Sequence, residues 1–280
     1  MKSSFKILPM RHRKECHYNE NLPNVAMMSR FRKLLETLRW LTPLAGDRIA
    51  AARILIRRKR DPFRLLQVKY DGKPLFFRGI DSNAIVEVLH EGEYKFLDPD
   101  LRSTYAPCVL DVGAHIGTFA AWALSVNPQA HILSVEADIH TFAVATKNAG
   151  SRSANWRVVN FAASGTNGQR LHFSTAGPSM SHRVSSEGDL EVETINLQTL
   201  MDTVSKRADI DILKIDIEGS EEDFLCATPE LLAAVKCLVI ELHPGICDTE
   251  RVRKAISSHF KTVTEVLGRR SDKPLLLCRK

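Results

Sequence analysis

From Cys108 onward the chain alternates short, uninterrupted apolar runs with helical patterns, and this alternation limits the fold more than any other feature. The runs are CVLDV (108–112), HILSVE (131–136), WRVVNFA (156–162), DILKID (211–216) and CLVIEL (237–242). A strand with one wet face alternates apolar and polar side chains. A run that is apolar throughout belongs to a strand covered on both faces, as in a parallel sheet with helices above and below. The end of the chain differs: Phe260 to Leu267, a turn through Arg269 to Lys273, and Leu275 to Cys278 read as an antiparallel hairpin. The expected fold is α/β, a mostly parallel, seven-stranded Rossmann-like sheet closed by a C-terminal antiparallel hairpin.

Three segments fall outside the alternation. Residues 164–194 mix Gly, Ser, Thr and Asn with runs such as RLHFS and EVETI, which predicts a β-excursion over the carboxyl end of the sheet. Residues 63–107 carry two β-rich runs around Asp71-Gly72, a two-residue hairpin turn signal, then a helical stretch near Asn83 to His90. We read them as an acceptor-side cap. Residues 1–62 form an extension: a loose tail over 1–25, then apolar positions 28, 31, 34, 35, 38 and 41 at amphipathic-helix spacing. Pro43 and Gly46 are expected to end that helix. A second short helix from Arg48 ends in the run Arg57 to Arg60.

The net charge of +6 is unevenly placed: residues 1–60 carry +11 and the rest −5. A nucleic-acid substrate calls for the reverse, with basic residues around the active site. The basic helices, residues 28–60, are expected to pack as a cap with a solvated face; attachment to an anionic membrane surface or a protein is the rival reading. No apolar run is long enough to span a bilayer and no signal-peptide core is evident, so the expected location is cytoplasmic, with the inner face of a membrane as its peripheral variant. Six cysteines show no metal-binding spacing and read as small buried hydrophobes.

Asp111 ends the first buried run, and Gly113-x-x-x-Gly117 then turns the chain into a helix near Thr118. Glycines permit the turn and a close ligand approach, and the helix start offers N–H groups to a carboxylate. Glu136 ends the second run, where a carboxylate accepts both hydroxyls of a ribose, a charged bond of roughly 1.5–3 kcal/mol. A dinucleotide site needs G-x-G-x-x-G. His115 stands where its middle glycine would admit a diphosphate. S-adenosylmethionine (SAM) has no phosphate and suits the segment better. Asp111, Gly113, His115, Gly117, Glu136, Ala162 (ending the third run) and Asp216 are the expected cofactor contacts.

The fourth and fifth runs deliver KIDIEGSE (214–221) and ELHPG (241–245) to neighbouring strand ends. Methyl transfer to an alcohol requires a positioned acceptor and removal of its proton. His243 is the expected base, with capping of its strand end as the structural alternative; Asp216 is orienter, alternative base or contact to the methionine amino group; Lys214 beside it is a third catalytic candidate or the ion-pair partner of a nearby carboxylate. The strand-end carboxylates Asp216, Glu218 and Glu241 with the His243 imidazole also suit a hard divalent cation, a reading we favour less than a metal-free site.

With DVGAHIG, SVEA, KIDIEGSE and ELHP in this order, the chain over about residues 65–280 resembles the FkbM-type methyltransferases. The resemblance implies a class I SAM-binding fold and O-methylation of a sugar, glycan, natural-product or lipid-linked hydroxyl. By motif position it implies cofactor contacts at Asp111, Gly113, His115, Gly117 and Glu136 and an active-site place for Asp216. The chain departs from that pattern at His115, usually Asn, and at Gln198, commonly Asp. The alternatives are a nucleic-acid methyltransferase, whose N/D-P-P-Y/F-type motif is replaced here by IDIEG, and a non-catalytic SAM-binding protein.

Overall fold

Seven strands form one sheet in the order β12-β13-β11-β10-β3-β4-β5 in a computed structural model that describes residues 23–174, 183–184, 190–204, 209–266 and 272–280. The strands are β3 (Cys108–Val112), β4 (His131–Glu136), β5 (Trp156–Asn160), β10 (Ile210–Ile215), β11 (Val235–Glu241), β12 (Thr262–Glu265) and β13 (Leu275–Arg279). Pairing is parallel from β5 through β11 and antiparallel at β11–β13 and β13–β12, as the sequence predicted. Between these strands lie α5 (Thr118–Val126), α6 (Ile139–Gly150), α7 (Leu197–Val204), α8 (Glu221–Cys226) and α9 (Thr249–Ser257).

The strand residues divide between two cores. Val109, Ile132, Ile212 and Val239 join one face; Leu110, Leu133, Leu213 and Leu238 join the other. Alternate residues point to opposite faces, so apolar side chains at every position mean that both faces are covered. The basic helices α1 (Pro23–Ala45) and α2 (Arg48–Arg60) insert Trp40, Leu41, Ile54 and Leu55 into the first core, alongside β1 (Leu66–Tyr70) and β2 (Lys73–Phe77). Each such burial contributes about 2 kcal/mol.

Several boundaries differ from expectation for local reasons. Pro43 does not end α1. A proline near the last turn costs one bond, and the helix continues to Ala45 before Gly46 takes a φ of +95°. Asp47 then caps α2 by accepting from the Ala50 N–H at 2.8 Å. The β1–β2 turn forms at Asp71 (φ +51°) and Gly72 (φ +70°), as its sequence signals. The helical stretch after β2 begins as α3 (Ser82–Ala84), widens to a π-helix over Ile85–Glu91 and stops at Gly92. A short α4 (Asp98–Arg102) leads into β3.

The third run ends two residues early. Asn160 donates from Nδ2 to the carbonyls of Glu136 and Ala137, both at 2.8 Å. The chain then leaves the main sheet, and β6 (Ala162–Ala163) pairs with β9 (Leu190–Ile195). With β7 (Arg170–Ser174) and β8 (Arg183–Val184) they make a small sheet ordered β6-β9-β7-β8, the expected β-excursion. His172 on β7 is exposed, and His182, also considered for the acceptor side, lies outside the described residues. So do Cys16 and most of the 1–25 tail. Cys108, Cys237 and Cys278 are buried free thiols.

Candidate active site

The sheet runs outward from β3 in two directions, to β4 and β5 on one side and to β10 and β11 on the other. A crevice opens at such a switch point beyond the carboxyl ends of the strands. The loop after β3, the Glu136 end of β4 and the loops after β10 and β11 all empty into it.

The glycine loop is held by packing. A Cβ at Gly113 would stand 1.7 Å from the Asp216 carbonyl oxygen, and one at Gly117 would stand 2.4 Å from the Trp156 ring. Both have φ near +80°. The glycines therefore admit neighbouring protein, the Asp216 backbone just past β10 and a tryptophan, where the sequence suggested room for a ligand. The Gly113 and Ala114 N–H groups donate to the Val135 carbonyl, and His115, also left-handed at φ +51°, donates its N–H to Glu136 Oε2 at 2.7 Å. The His115 imidazole reaches back to Asp81, with Nε2 at 3.6 Å from Oδ1. Its main contribution to the crevice is thus its backbone N–H.

Glu136 receives a second backbone N–H, from Asp138 at 3.0 Å on Oε1. Burial, opposed by those bonds, pushes its carboxyl up to about 7. Each oxygen keeps a further lone pair for a hydroxyl donor. Ala162 packs behind this corner against Val192 and Ala137.

Below the loop lies a chain of buried polar groups. Trp156 Nε1 donates to Ser134 Oγ (3.0 Å), which donates to Asp111 Oδ2 (2.9 Å). Asp111 is fully buried, so its carboxylate has no surface for a cofactor. Its Oδ1 faces Lys214 Nζ at 3.5 Å, and that ammonium donates to the Gly113 carbonyl at 2.6 Å and lies 3.9 Å from Asp216. Burial raises the Asp111 carboxyl above its ordinary range. Burial works against the Lys214 charge, but Asp111, Asp216 and Glu93 outweigh it and hold the group above the ordinary lysine value. We assign the pair a charged Lys214. It staples the ends of β3 and β10 and has no free proton acceptor, so a direct catalytic place for it does not fit.

The second cluster centres on His243, and here the geometry corrects the sequence reading. Its Nδ1 lies 2.7 Å from Glu221 Oε1, and Nε2 is 3.2 Å from Glu218 Oε2 and 3.6 Å from Glu241 Oε1. Burial would lower its pKa, but Glu218 and Glu221 overcome that and push it up to about 10. With no cation bound, those carboxylates favour a proton on each ring nitrogen, so the ring is not the free general base expected of it; a cation at Nε2 would take the place of that proton. Burial and the nearby Asp216 charge raise Glu241. Lys273 closes the cluster, 2.9 Å from Glu218 and 3.7 Å from Glu241.

Asp216 is the carboxylate best placed for an incoming group. Its side chain is 24% exposed, and Oδ1 is buried without a hydrogen bond. Its N–H donates to the Val112 carbonyl, which fixes it against β3. Sequence reasoning missed Ser134, Glu221, Lys273 and the buried Arg78–Asp81 pair (2.9 Å) that ties the cap to Thr141. Glu221 was legible only as the last residue of KIDIEGSE and Lys273 only as a charge in the hairpin turn; nothing in the spacing paired them with His243 and Glu218. Gln198, the second departure, is a surface residue bonded to Asp202.

The strand order with its antiparallel close is that of a class I methyltransferase, an enzyme that takes its methyl group from S-adenosylmethionine. Residues 111–268, more than half of the chain, match the methyltransferase FkbM domain, and the chain belongs to that family. The hexuronic acid methyltransferase AglP of Haloferax volcanii is 26% identical over 171 residues, covering 61% of this chain and 69% of that one. Among solved structures, the METTL16 methyltransferase domain aligns at 14% identity and a TM-score of 0.45, over 69% of this chain and 67% of that one. A putative O-methyltransferase from Klebsiella pneumoniae aligns at 18% identity and 0.41, over 68% and 80%. The precorrin-6y C5,15-methyltransferase of Geobacter metallireducens aligns at 12% and 0.41, over 68% and 88%.

Proposed function

We propose that this methyltransferase acts on an oxygen of a sugar, in a glycan or a sugar-bearing lipid. Two strand ends carry the reading: Glu136, which ends β4 with lone pairs for ribose hydroxyls, and Asp216, which follows β10 with an unbonded Oδ1. The relation to a hexuronic acid methyltransferase supports the sugar class. The bound cofactor supplies an electrophilic methyl group on a sulfonium. Glu136 holds its ribose, and the Gly113–Gly117 backbone, stapled by Lys214 and Asp111, faces its amino-acid end. Asp216 orients the acceptor hydroxyl and takes its proton, a role worth about 10²–10⁴-fold in rate. Titration calorimetry with S-adenosylmethionine, followed by labelled methyl transfer to a panel of neutral and uronic-acid glycans, tests this. Label on a sugar oxygen is expected; label on RNA alone, or no cofactor binding, defeats it.

A sugar carried on a lipid would explain the outer face of α2. Ile49, Arg53, Ile56 and Arg60 follow one another at helical spacing, all exposed, with Arg57 beside them and exposed Phe63 just beyond the helix end. Arg58, by contrast, is half-buried and donates to Ser82 at 2.9 Å, so it belongs to the cap packing. Isoleucines and arginines alternating on one outward stripe suit the interface of an anionic bilayer. Among the described residues no helix is long and apolar enough to cross a membrane.

A further inference from the structure

We propose that Asp216, Glu241 and His243 form a site for one divalent cation of the magnesium–manganese class. The inference rests on the sugar O-methyltransferase reading for its purpose, though its binding test does not. One ligand atom from each residue lies within 4.8 Å of the other two. Oxygen and nitrogen ligands around one such ion, at about 2.1 Å from it, stand about 3.0–4.2 Å apart, so less than about an ångström of movement closes the set.

The imidazole makes this more than an acidic cluster. His243 is 2% exposed, and its Nε2 is buried and makes no hydrogen bond, although carboxylate oxygens of Glu218 and Glu241 lie 3.2 and 3.6 Å away. Asp216 Oδ1, just past the end of β10, is likewise buried without a hydrogen bond. Buried polar atoms are rarely left so. The opposite ring nitrogen is committed: Nδ1 lies 2.7 Å from Glu221 Oε1, and that carboxylate also accepts the Gly219 N–H. A carboxylate on one imidazole nitrogen, fixing tautomer and orientation, is how proteins aim the other nitrogen at a metal. Lys273 donates to both Glu218 oxygens and so neutralises that side of the cluster.

Two carboxylates and one imidazole leave half of an octahedral shell for water and substrate. The mixed donors suit Mn²⁺ at least as well as Mg²⁺. An acceptor hydroxyl bound there would be polarised beside Asp216, and a uronate carboxylate would find a cation in a crevice otherwise crowded with negative charge.

Metal-stripped full-length protein is titrated with Mn²⁺ and followed by electron paramagnetic resonance. One ion per chain is expected, with imidazole nitrogen coupling in the pulsed spectrum. Glu241→Gln should weaken binding at least tenfold. Glu221→Gln, which reaches the ion through His243, should weaken it about 10–100-fold. His243→Gln should remove the nitrogen coupling; if that variant does not fold, the presence or absence of coupling in the unaltered chain decides. No Mn²⁺ bound up to about 1 mM, binding without nitrogen coupling, or affinity unchanged in Glu241→Gln overturns the site. Cofactor calorimetry on the same metal-free sample separates the two readings: cofactor bound with no Mn²⁺ bound removes the cation alone, whereas no cofactor bound removes the methyltransferase assignment of the crevice.

Discussion

Lys214 donates from Nζ to the carbonyl oxygen of Gly113 at 2.6 Å, across the junction of β10 and β3 where the strand order reverses. The bond joins the most specific motif of the chain to its glycine loop. Lys214→Met keeps the length of the side chain and leaves Asp111 and the Gly113 carbonyl buried without their cation. Removing one member of a buried ion pair costs about 3–5 kcal/mol. Thermal melts should show the loss, and calorimetry should show weaker cofactor binding in whatever fraction stays folded. An unchanged melt would mean that the loop holds its shape without the staple.

Gly113→Ala and Gly72→Ala separate steric from backbone cost. Both glycines have positive φ, but a Cβ at Gly72 meets nothing within 4 Å, while one at Gly113 collides with the Asp216 carbonyl. Gly72→Ala should cost about 1–2 kcal/mol and leave turnover unchanged. Gly113→Ala should cost more and abolish cofactor binding, because the Asp216 backbone cannot yield as a side-chain tip can. Equal losses in the two variants would contradict this.

Glu136, pushed up to about 7 by burial, makes cofactor binding depend on pH. Ribose hydroxyls donate better to the ionised carboxylate, so affinity should rise as pH passes from 6 to 8, and Glu136→Gln should flatten the profile. Stability runs the other way. The folded carboxyl holds its proton more tightly than the unfolded one, near 4.5, so its contribution is greatest at and below that value and is lost as pH rises through about 7. Melting temperatures measured without cofactor across that window test the sign.

Asp216→Asn retains shape and hydrogen bonding but cannot take a proton. The maximal rate should fall about 10²–10⁴-fold with cofactor affinity nearly unchanged. Equal damage to both quantities would make Asp216 a binding residue instead.

The α2 stripe predicts co-sedimentation with vesicles containing anionic lipid that weakens as salt rises. Ile56→Asp and Arg53→Glu should each reduce it without altering the melt, since both side chains point outward. Binding that persists in the double variant would assign the attraction to other residues.

The sheet was legible in the sequence because parallel strands covered on both faces must be apolar at every position, and the CVLDV, HILSVE and CLVIEL runs leave little alternative. Motif order then placed KIDIEGSE and ELHPG on neighbouring strand ends, as β10 and β11 are; that DVGAHIG lies beside KIDIEGSE came only with the pairing of β3 and β10. The early end of β5 was not legible, since it depends on Asn160 finding two carbonyls of the neighbouring strand's exit.

The roles inside the crevice were decided in three dimensions. Sequence supplied His243 as an imidazole after a strand, chemically open to being base, ligand or cap. Its neighbours Glu218 and Glu221 come from a different strand end, and only folding set them at 3.2 and 2.7 Å from its two nitrogens. A residue's proton affinity depends on the charges and burial around it, and those are properties of the packed structure. Gly113 shows the same division. Sequence marked it as a glycine that must turn; tertiary structure showed that the space it leaves is filled by the Asp216 backbone just past β10.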